Sequence, residues 1–410
     1  MTLTGLCRTL APVALLTLAC SDPSAPSAST KLEKLPRDLS VAEKSLISGS
    51  NAFAFDLLRE INADQRTENV FISPLSASMA LGMTLNGAAG GTFDAMRGTL
   101  GLGAATREDI STGYKSLIEL LRGLDESTDF RIANSIWYEK TFPFNASFIN
   151  ESQQYFGAQV SPLDFGDPAS VDKINSWVNE ATGKKIPTII DEIPNDGVMY
   201  LINAIYFKGA WRSRFDKSKT SDAPFFSLDG SSASVPMMTQ TAAFGVGHGA
   251  SYIAVDLPYG NSAYSMTIVL PNTGTDINAF AESMTLEKWR GIEATMHEGE
   301  TTLFLPRFRL EWKRTLNDDL TRLGMGIAFT AADFTRMSPR GNELVIGDVI
   351  QKTFVDVDEE GTEAAAVTSV GVTVTSAPAP VRIDRPFLVA IRERLSGTVL
   401  FIGKIVKLPA

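Results

Sequence analysis

The sequence predicts an α+β domain. Three observations carry this: helix-period apolar stripes dominate early, strand-like runs dominate late, and the two never settle into a regular βαβ alternation. Ser40-x-x-Glu43 has the form of a capping box, and the segment after it sets Phe53, Leu57, Leu58 and Ile61 on one helical stripe. Leu75, Met79 and Met83 suggest a second helix, and Thr92 as cap with Phe93, Met96 and Leu100 before Gly101 a third. Leu316, Leu320 and Leu323 ahead of Gly324 read as a late helix with a glycine stop. Strand-like runs lie at 199–208, 253–257, 264–270, 301–305, 387–392 and 398–406, with Gly397 marking a hairpin between the last two. No internal repeat and no linker beyond residue 35 interrupt the chain, so 36–410 reads as one domain.

Composition narrows the function. The 410 residues carry 37 Lys+Arg against 47 Asp+Glu, a formal net charge of −10, which opposes a general nucleic-acid binder. At 44% hydrophobic and 20% charged residues there is material for a large core. Two cysteines and two histidines, Cys7, Cys20, His248 and His297, make neither a disulfide framework nor a metal cluster, so no metal and no cofactor is expected. A hydrolase lacks its G-x-S-x-G elbow. Gly245-Val246-Gly247-His248-Gly249 lacks the strand-to-helix spacing of a phosphate loop and reads as a surface turn.

The N-terminus reads as an export signal. Leu10 to Ala19 is a short apolar run after Arg8, too short to span a bilayer, and nothing later in the chain is expected to cross one. Ala19-Cys20 resembles the bacterial lipoprotein cleavage site, with Cys20 the lipidated first residue, although Thr17 stands where that family usually has Leu. Residues 1–19 are then signal and 20–35, rich in Ser, Ala and Pro at their start, a tether. Lipid anchoring at the cell envelope, at the outer membrane or its periplasmic face, is the expectation; ordinary secretion and an uncleaved apolar start are the alternatives.

From Ala364 to Val381 no residue is charged, while Asp356, Asp358, Glu359, Glu360 and Glu363 crowd the near end. Val367, Thr368, Val370, Val372, Thr373, Val374 and Thr375 favour a strand. With period two, Thr362, Ala364, Ala366, Thr368, Val370, Val372 and Val374 share one face, until Pro378 and Pro380 forbid further pairing. Two readings stay open: an ordinary half-buried strand, or a latent one, exposed in one state and inserted in another. The small residues Ala364, Ala365 and Ala366 after Gly361 suit a segment that must slip between existing strands.

The sequence resembles the serpin family over essentially Leu39 to Pro409. The motifs are Asn69-Val70-Phe71-Ile72-Ser73-Pro74-Leu75-Ser76, Leu85-Asn86-Gly87-Ala88, Asn203-Ala204-Ile205-Tyr206-Phe207-Lys208-Gly209-Ala210-Trp211 and Val235-Pro236-Met237-Met238-Thr239-Gln240. Asp384-Arg385-Pro386-Phe387 and Phe401-Ile402-Gly403-Lys404 continue the match, and Glu359-Glu360-Gly361-Thr362-Glu363-Ala364-Ala365-Ala366 is similar to the hinge of inhibitory members. The order of these blocks makes chance agreement negligible.

The resemblance implies three β-sheets with about nine helices and an exposed reactive-centre loop, here 359–381. It implies a suicide-substrate inhibitor, not an enzyme: a target serine protease, or a cysteine protease, cleaves the loop, and the hinge inserts into the main sheet before the acyl-enzyme hydrolyses. Family spacing from Glu359 and from Pro386 both set the cleaved bond at Thr375-Ser376, with Val374-Thr375 the other register. Thr375 behind Val374 and Thr373 suits an elastase-like or subtilisin-like pocket. By resemblance, Ser73, Ser76, Asn203 and Gln351 form the polar shutter beneath the sheet, Gln351 standing where many members have histidine. Trp211, Arg307 and Glu359 mark the breach where the hinge enters. A monomer with a protease as partner is expected; the rival is a non-inhibitory serpin acting as a binding or structural surface lipoprotein.

Overall fold

The computed structural model describes residues 30–193, 198–362 and 379–409. Cys20, Glu363, Ala364, Ala365, Ala366, Thr375 and Ser376 lie outside the described residues.

Helix α1 (Val41–Asp64) starts as its sequence dictates: Ser40 Oγ accepts from Glu43 N at 3.1 Å and Glu43 Oε2 accepts from Ser40 N at 2.7 Å. Its stripe of Phe53, Leu57, Leu58 and Ile61 is fully buried. After β1 (Val70–Ile72), α2 (Pro74–Gly87) begins at Pro74, whose missing N–H costs nothing in a first turn. All but one of its residues are buried, as expected of a helix enclosed on every side. Helix α3 (Gly90–Thr99) starts two residues before the anticipated Thr92 cap. Thr92 Oγ1 instead accepts from Asp333 N at 2.9 Å, so the hydroxyl is used across the fold and not at the helix end. Helix α4 (Arg107–Arg122), β2 (Asp129–Glu139), α5 (Ala146–Phe156), β3 (Gln159–Leu163), α6 (Ala169–Ala181) and β4 (Met199–Ala210) follow.

The middle of the chain is largely strand: β5 (Ser221–Phe226), β6 (Ser232–Gly249), β7 (Tyr252–Pro258) and β8 (Tyr264–Pro271), then helices α7 (Ile277–Glu282) and α8 (Leu286–Ala294). Next come β9 (His297–Pro306), β10 (Phe308–Thr315), α9 (Asn317–Leu320) and α10 (Ile327–Thr330). The late helix stops where its glycine was expected to stop it: Gly324 has φ 109, and α10 begins beyond that kink. The C-terminal strands are β11 (Ile350–Val357), β12 (Gly361–Thr362), β13 (Val381–Arg382), β14 (Phe387–Glu393) and β15 (Val399–Ile405), the last two joined through Gly397 at φ 73.

Hydrogen bonding makes two sheets among the described residues. Nine strands run β1-β15-β14-β8-β7-β6-β9-β13, with β5 on β6, and six run β10-β11-β12-β4-β2-β3. The α+β architecture is as expected, with ten α-helical segments among the described residues. Three sheets become two because the 18-residue β6 is long enough to pair with β5 and β9 along its first part and with β7 at its end. That end contains Gly245 to Gly249, which is therefore strand and not the turn its composition suggested. The glycines answer crowding: a Cβ on Gly247 would lie 2.3 Å from Thr295 Oγ1, and one on Gly249 2.1 Å from the Tyr252 ring.

Strands β8, β14 and β15 are buried on both faces and β10 alternates, matching their positions in the interior and at an edge. Helix α2 lies under the six-stranded sheet against β4 and β15. On the other face, Ile174 and Val178 of α6 pack with Trp137, Leu163 and Ile202 in a separate cluster. The six-stranded sheet is thus held between two helical layers.

Candidate functional site at the opening of the six-stranded sheet

Among the described residues, β11 and β4 are joined only through the two-residue strand β12. Thr362 pairs with Val357 on one side and Gly209 on the other, and Gly361 pairs with Ala210, all antiparallel. The turn into β12 is local chemistry. Asp358 Oδ1 accepts from Glu360 N at 2.8 Å and Gly361 N at 3.1 Å, and Asp358 N donates to Gly361 O at 3.0 Å. Glycine is required at 361: its φ is 150, and a Cβ there would lie 2.1 Å from Gly209 O and 2.7 Å from Ala210 Cα.

Aromatic packing holds this turn. Trp211 is buried and stacks on Tyr259 with ring centroids 4.5 Å apart at 11°. Its Nε1 donates to Asp358 O at 2.9 Å and its backbone N to Glu360 O at 2.9 Å. The Tyr259 hydroxyl shares a 2.8 Å hydrogen bond with Thr362 Oγ1, both fully enclosed. Burial drives that phenol well above its ordinary pKa, so it stays neutral and able to donate.

The acidic residues before the hinge are anchored. Glu359, 2% exposed, accepts from Thr220 Oγ1 at 2.7 Å, with Arg307 Nε 3.7 Å from its other oxygen. Arg307 is half exposed, so that pair adds little. Glu360 accepts from Lys217 Nζ, and this hydrogen bond raises the lysine pKa above its ordinary value.

Further down the sheet, Gln351 on β11 clamps the entry to α2. Ser73 N donates to Gln351 Oε1 at 3.0 Å and Gln351 Nε2 donates to Ser73 O at 2.8 Å. Ser73 Oγ donates to Leu400 O at 2.8 Å, tying the same point to β15. Ser76 and Gln351 line a cavity of about 30 Å³, room for about one water, under β4 and β11. Asn203 pairs with Asn134 in the backbone register of β2 and β4.

The geometry therefore brings Ser73, Ser76 and Gln351 together, and Trp211, Arg307 and Glu359 together around Gly361 and Thr362. A family model described as serpin (serine protease inhibitor) matches residues 48–408. The chain belongs to the serpin family. This serpin is 36% identical to the leukocyte elastase inhibitor of Sus scrofa over 382 residues, 88% of this chain and 98% of that one. It is 33% identical to an uncharacterised serpin-like protein of Thermococcus kodakarensis, covering 88% of this chain and 85% of that one. Among solved structures it is similar to the thermophilic serpin tengpin in its native state, at TM-score 0.82 and 30% identity, covering 93% and 98% of the two chains. Human thyroxine-binding globulin, solved with its hormone, aligns at TM-score 0.83 and 28% identity over 90% and 100%. Serpins are protease inhibitors and not catalysts, and no triad is to be sought here.

Sequence reasoning missed Tyr259, Lys217 and Thr220, and took Asp358 only as part of an acidic run. Tyr259-Gly260 closing a strand offered no chemical signature, and the partners of Glu359 and Glu360 lie some 140 positions away in the chain. Thr362, anticipated on an exposed loop face, is 4% exposed and already between two strands.

Proposed function

We propose that this serpin is an inhibitor that traps its target protease covalently through cleavage at Thr375-Ser376 and insertion of its hinge. The target's serine Oγ attacks the Thr375 carbonyl carbon; the bond to Ser376 breaks, and the new α-amine leaves with the proton. The chain N-terminal to the break then continues β12 into the sheet and carries the acylated protease with it. Distortion that removes an oxyanion donor slows deacylation by ~10²–10³-fold.

The observation that carries this reading is the register of β12. Thr362 lies opposite Gly209 and Val357; a continuation antiparallel to both neighbours would set Ala364 opposite Phe207 and Val355, Ala366 opposite Ile205 and Thr353, and Thr368 opposite Asn203 and Gln351. Val355, Thr353 and Gln351 are the buried positions of β11. On insertion the uncharged face of Thr362, Ala364, Ala366 and Thr368 would therefore meet the core, and the small residues would come first.

Thr375 preceded by Val374 and Thr373 fits a shallow apolar specificity pocket, and relatives named leukocyte elastase inhibitor support an elastase-like target. Lipidation at Cys20 would hold the inhibitor at the cell envelope as a monomer on a tether. Incubation of the full chain with neutrophil elastase and with subtilisin tests the function: an SDS-stable complex and a released peptide beginning at Ser376 are expected. Cleavage without complex, or no cleavage by either enzyme, contradicts it.

A further inference from the structure

We propose that the cavity beneath the N-terminal strap, walled by Arg212, Asp256, Ser262, Arg392 and Arg394, binds a compact oxyanion: the phosphate or carboxylate of a small molecule. Leu32 N donates to Asn261 O at 2.7 Å and Lys31 pairs with Glu298 at 2.8 Å, so residues 31–33 cross over this region as a strap. Below it lies a cavity of about 270 Å³, beside a second of about 300 Å³ that shares Lys31, Arg392 and Arg394.

The donor chemistry of the walls is unbalanced. Four cationic side chains line the 270 Å³ cavity against three carboxylates. Asp256 is already saturated, accepting from Ser265 Oγ at 2.8 Å, Thr267 Oγ1 at 2.6 Å, Arg392 Nη2 at 3.2 Å and Arg394 Nε at 3.2 Å. Lys31 holds Glu298 at the rim. Glu293 Oε1 lies 3.1 Å from Arg392 Nη1, and burial raises the Glu293 pKa above its ordinary value. Arg394 gives Nε to Asp256 and Nη1 to Ser262 O, while its Nη2 has no acceptor among the described residues.

Ser262 is the second, independent observation. It is 1% exposed, its Oγ has no hydrogen-bond partner among the described residues, and it lines the cavity. Its backbone has φ 71, a conformation that suits glycine. Folding alone would be served at least as well by glycine here, without an orphaned buried hydroxyl. An unpartnered hydroxyl and a guanidinium with a spare N–H on the walls of one polar cavity are two donors open to an acceptor-rich group.

Isothermal titration of the full chain with sodium phosphate, matched in ionic strength with sodium chloride, tests this. Saturable binding is expected, weakened at least tenfold by Arg394→Gln and by Ser262→Gly. The unliganded Ser262→Gly protein should melt no lower than wild type. No saturable heat beyond the chloride control, or unchanged affinity in Ser262→Gly, overturns the proposal. Should Arg394→Gln fail to fold, Ser262→Gly decides alone, because glycine accepts the local backbone.

Discussion

Thr362 shows how much one side chain can decide. Its hydroxyl bonds Tyr259 inside the sheet, and its Cβ faces a core closed by Trp211 and Phe207. A guanidinium at this place must either be buried without a counter-ion or hold the hinge out of the sheet, and the second costs less. Thr362→Arg should therefore still be cleaved but release protease as a substrate would, raising the moles of inhibitor consumed per mole of protease several-fold in a titration. Full trapping at wild-type stoichiometry would refute the role given to this position. A different residue governs acid stability. Burial alone would raise the Glu43 pKa, but donors from Arg37, Ser40 and Ser116 outweigh it and hold it at about 2. A carboxylate depressed in the folded state stabilises above its unfolded pKa, and that stability is lost as pH falls from about 4.5 toward 2. Glu43→Gln should lower stability at pH 7 by about 1–2 kcal/mol and flatten the acid branch of a urea-denaturation series between those pH values.

At the scale of elements, the clamp between β11 and α2 sets how readily the sheet opens. Gln351 satisfies both backbone groups of Ser73, and Ser73 in turn holds β15, so one amide links two sheets through the start of a helix. Gln351→Leu leaves the Ser73 amide buried without that acceptor and should destabilise by about 2–4 kcal/mol, read from equilibrium urea unfolding; a change within error would show that the clamp is dispensable. Elements with a strong period were legible: the α1 stripe and its cap, and the core strands β8, β14 and β15, appear within two residues of where the sequence sets them. Strand β6 was hidden because its five-residue glycine-rich end mimics a loop, although those glycines serve close packing against Thr295 and Tyr252. The glycine stop at Gly324 was legible, while the helical turn that follows it, Ile327–Thr330, was not. Propensity reads what a residue permits; tertiary crowding decided what these did.

For the whole molecule, the hinge motif and the family blocks made the architecture legible, because they are contiguous in sequence. The breach was only half legible. Trp211, Arg307 and Glu359 could be named in advance, while Tyr259, Lys217 and Thr220 reach the hinge from segments that no local pattern connects to it. Among the described residues the molecule has a six-stranded sheet whose central seam is spanned by the two residues of β12, with α2 on one face and α6 on the other. On the proposed mechanism, cleavage lets the following residues fill that seam. Filling it would bury Val370, Val372 and Val374, each worth about 1.5–3 kcal/mol, and would pair a run of backbone groups along β4 and β11.

Thermal unfolding of the full chain before and after proteolytic nicking of the loop measures this directly. Insertion predicts a rise in melting temperature of about 10 °C or more on cleavage. An unchanged or lower melting temperature in the nicked protein, with both fragments still associated, would contradict the account that the hinge of this serpin is the first part of a strand held in waiting.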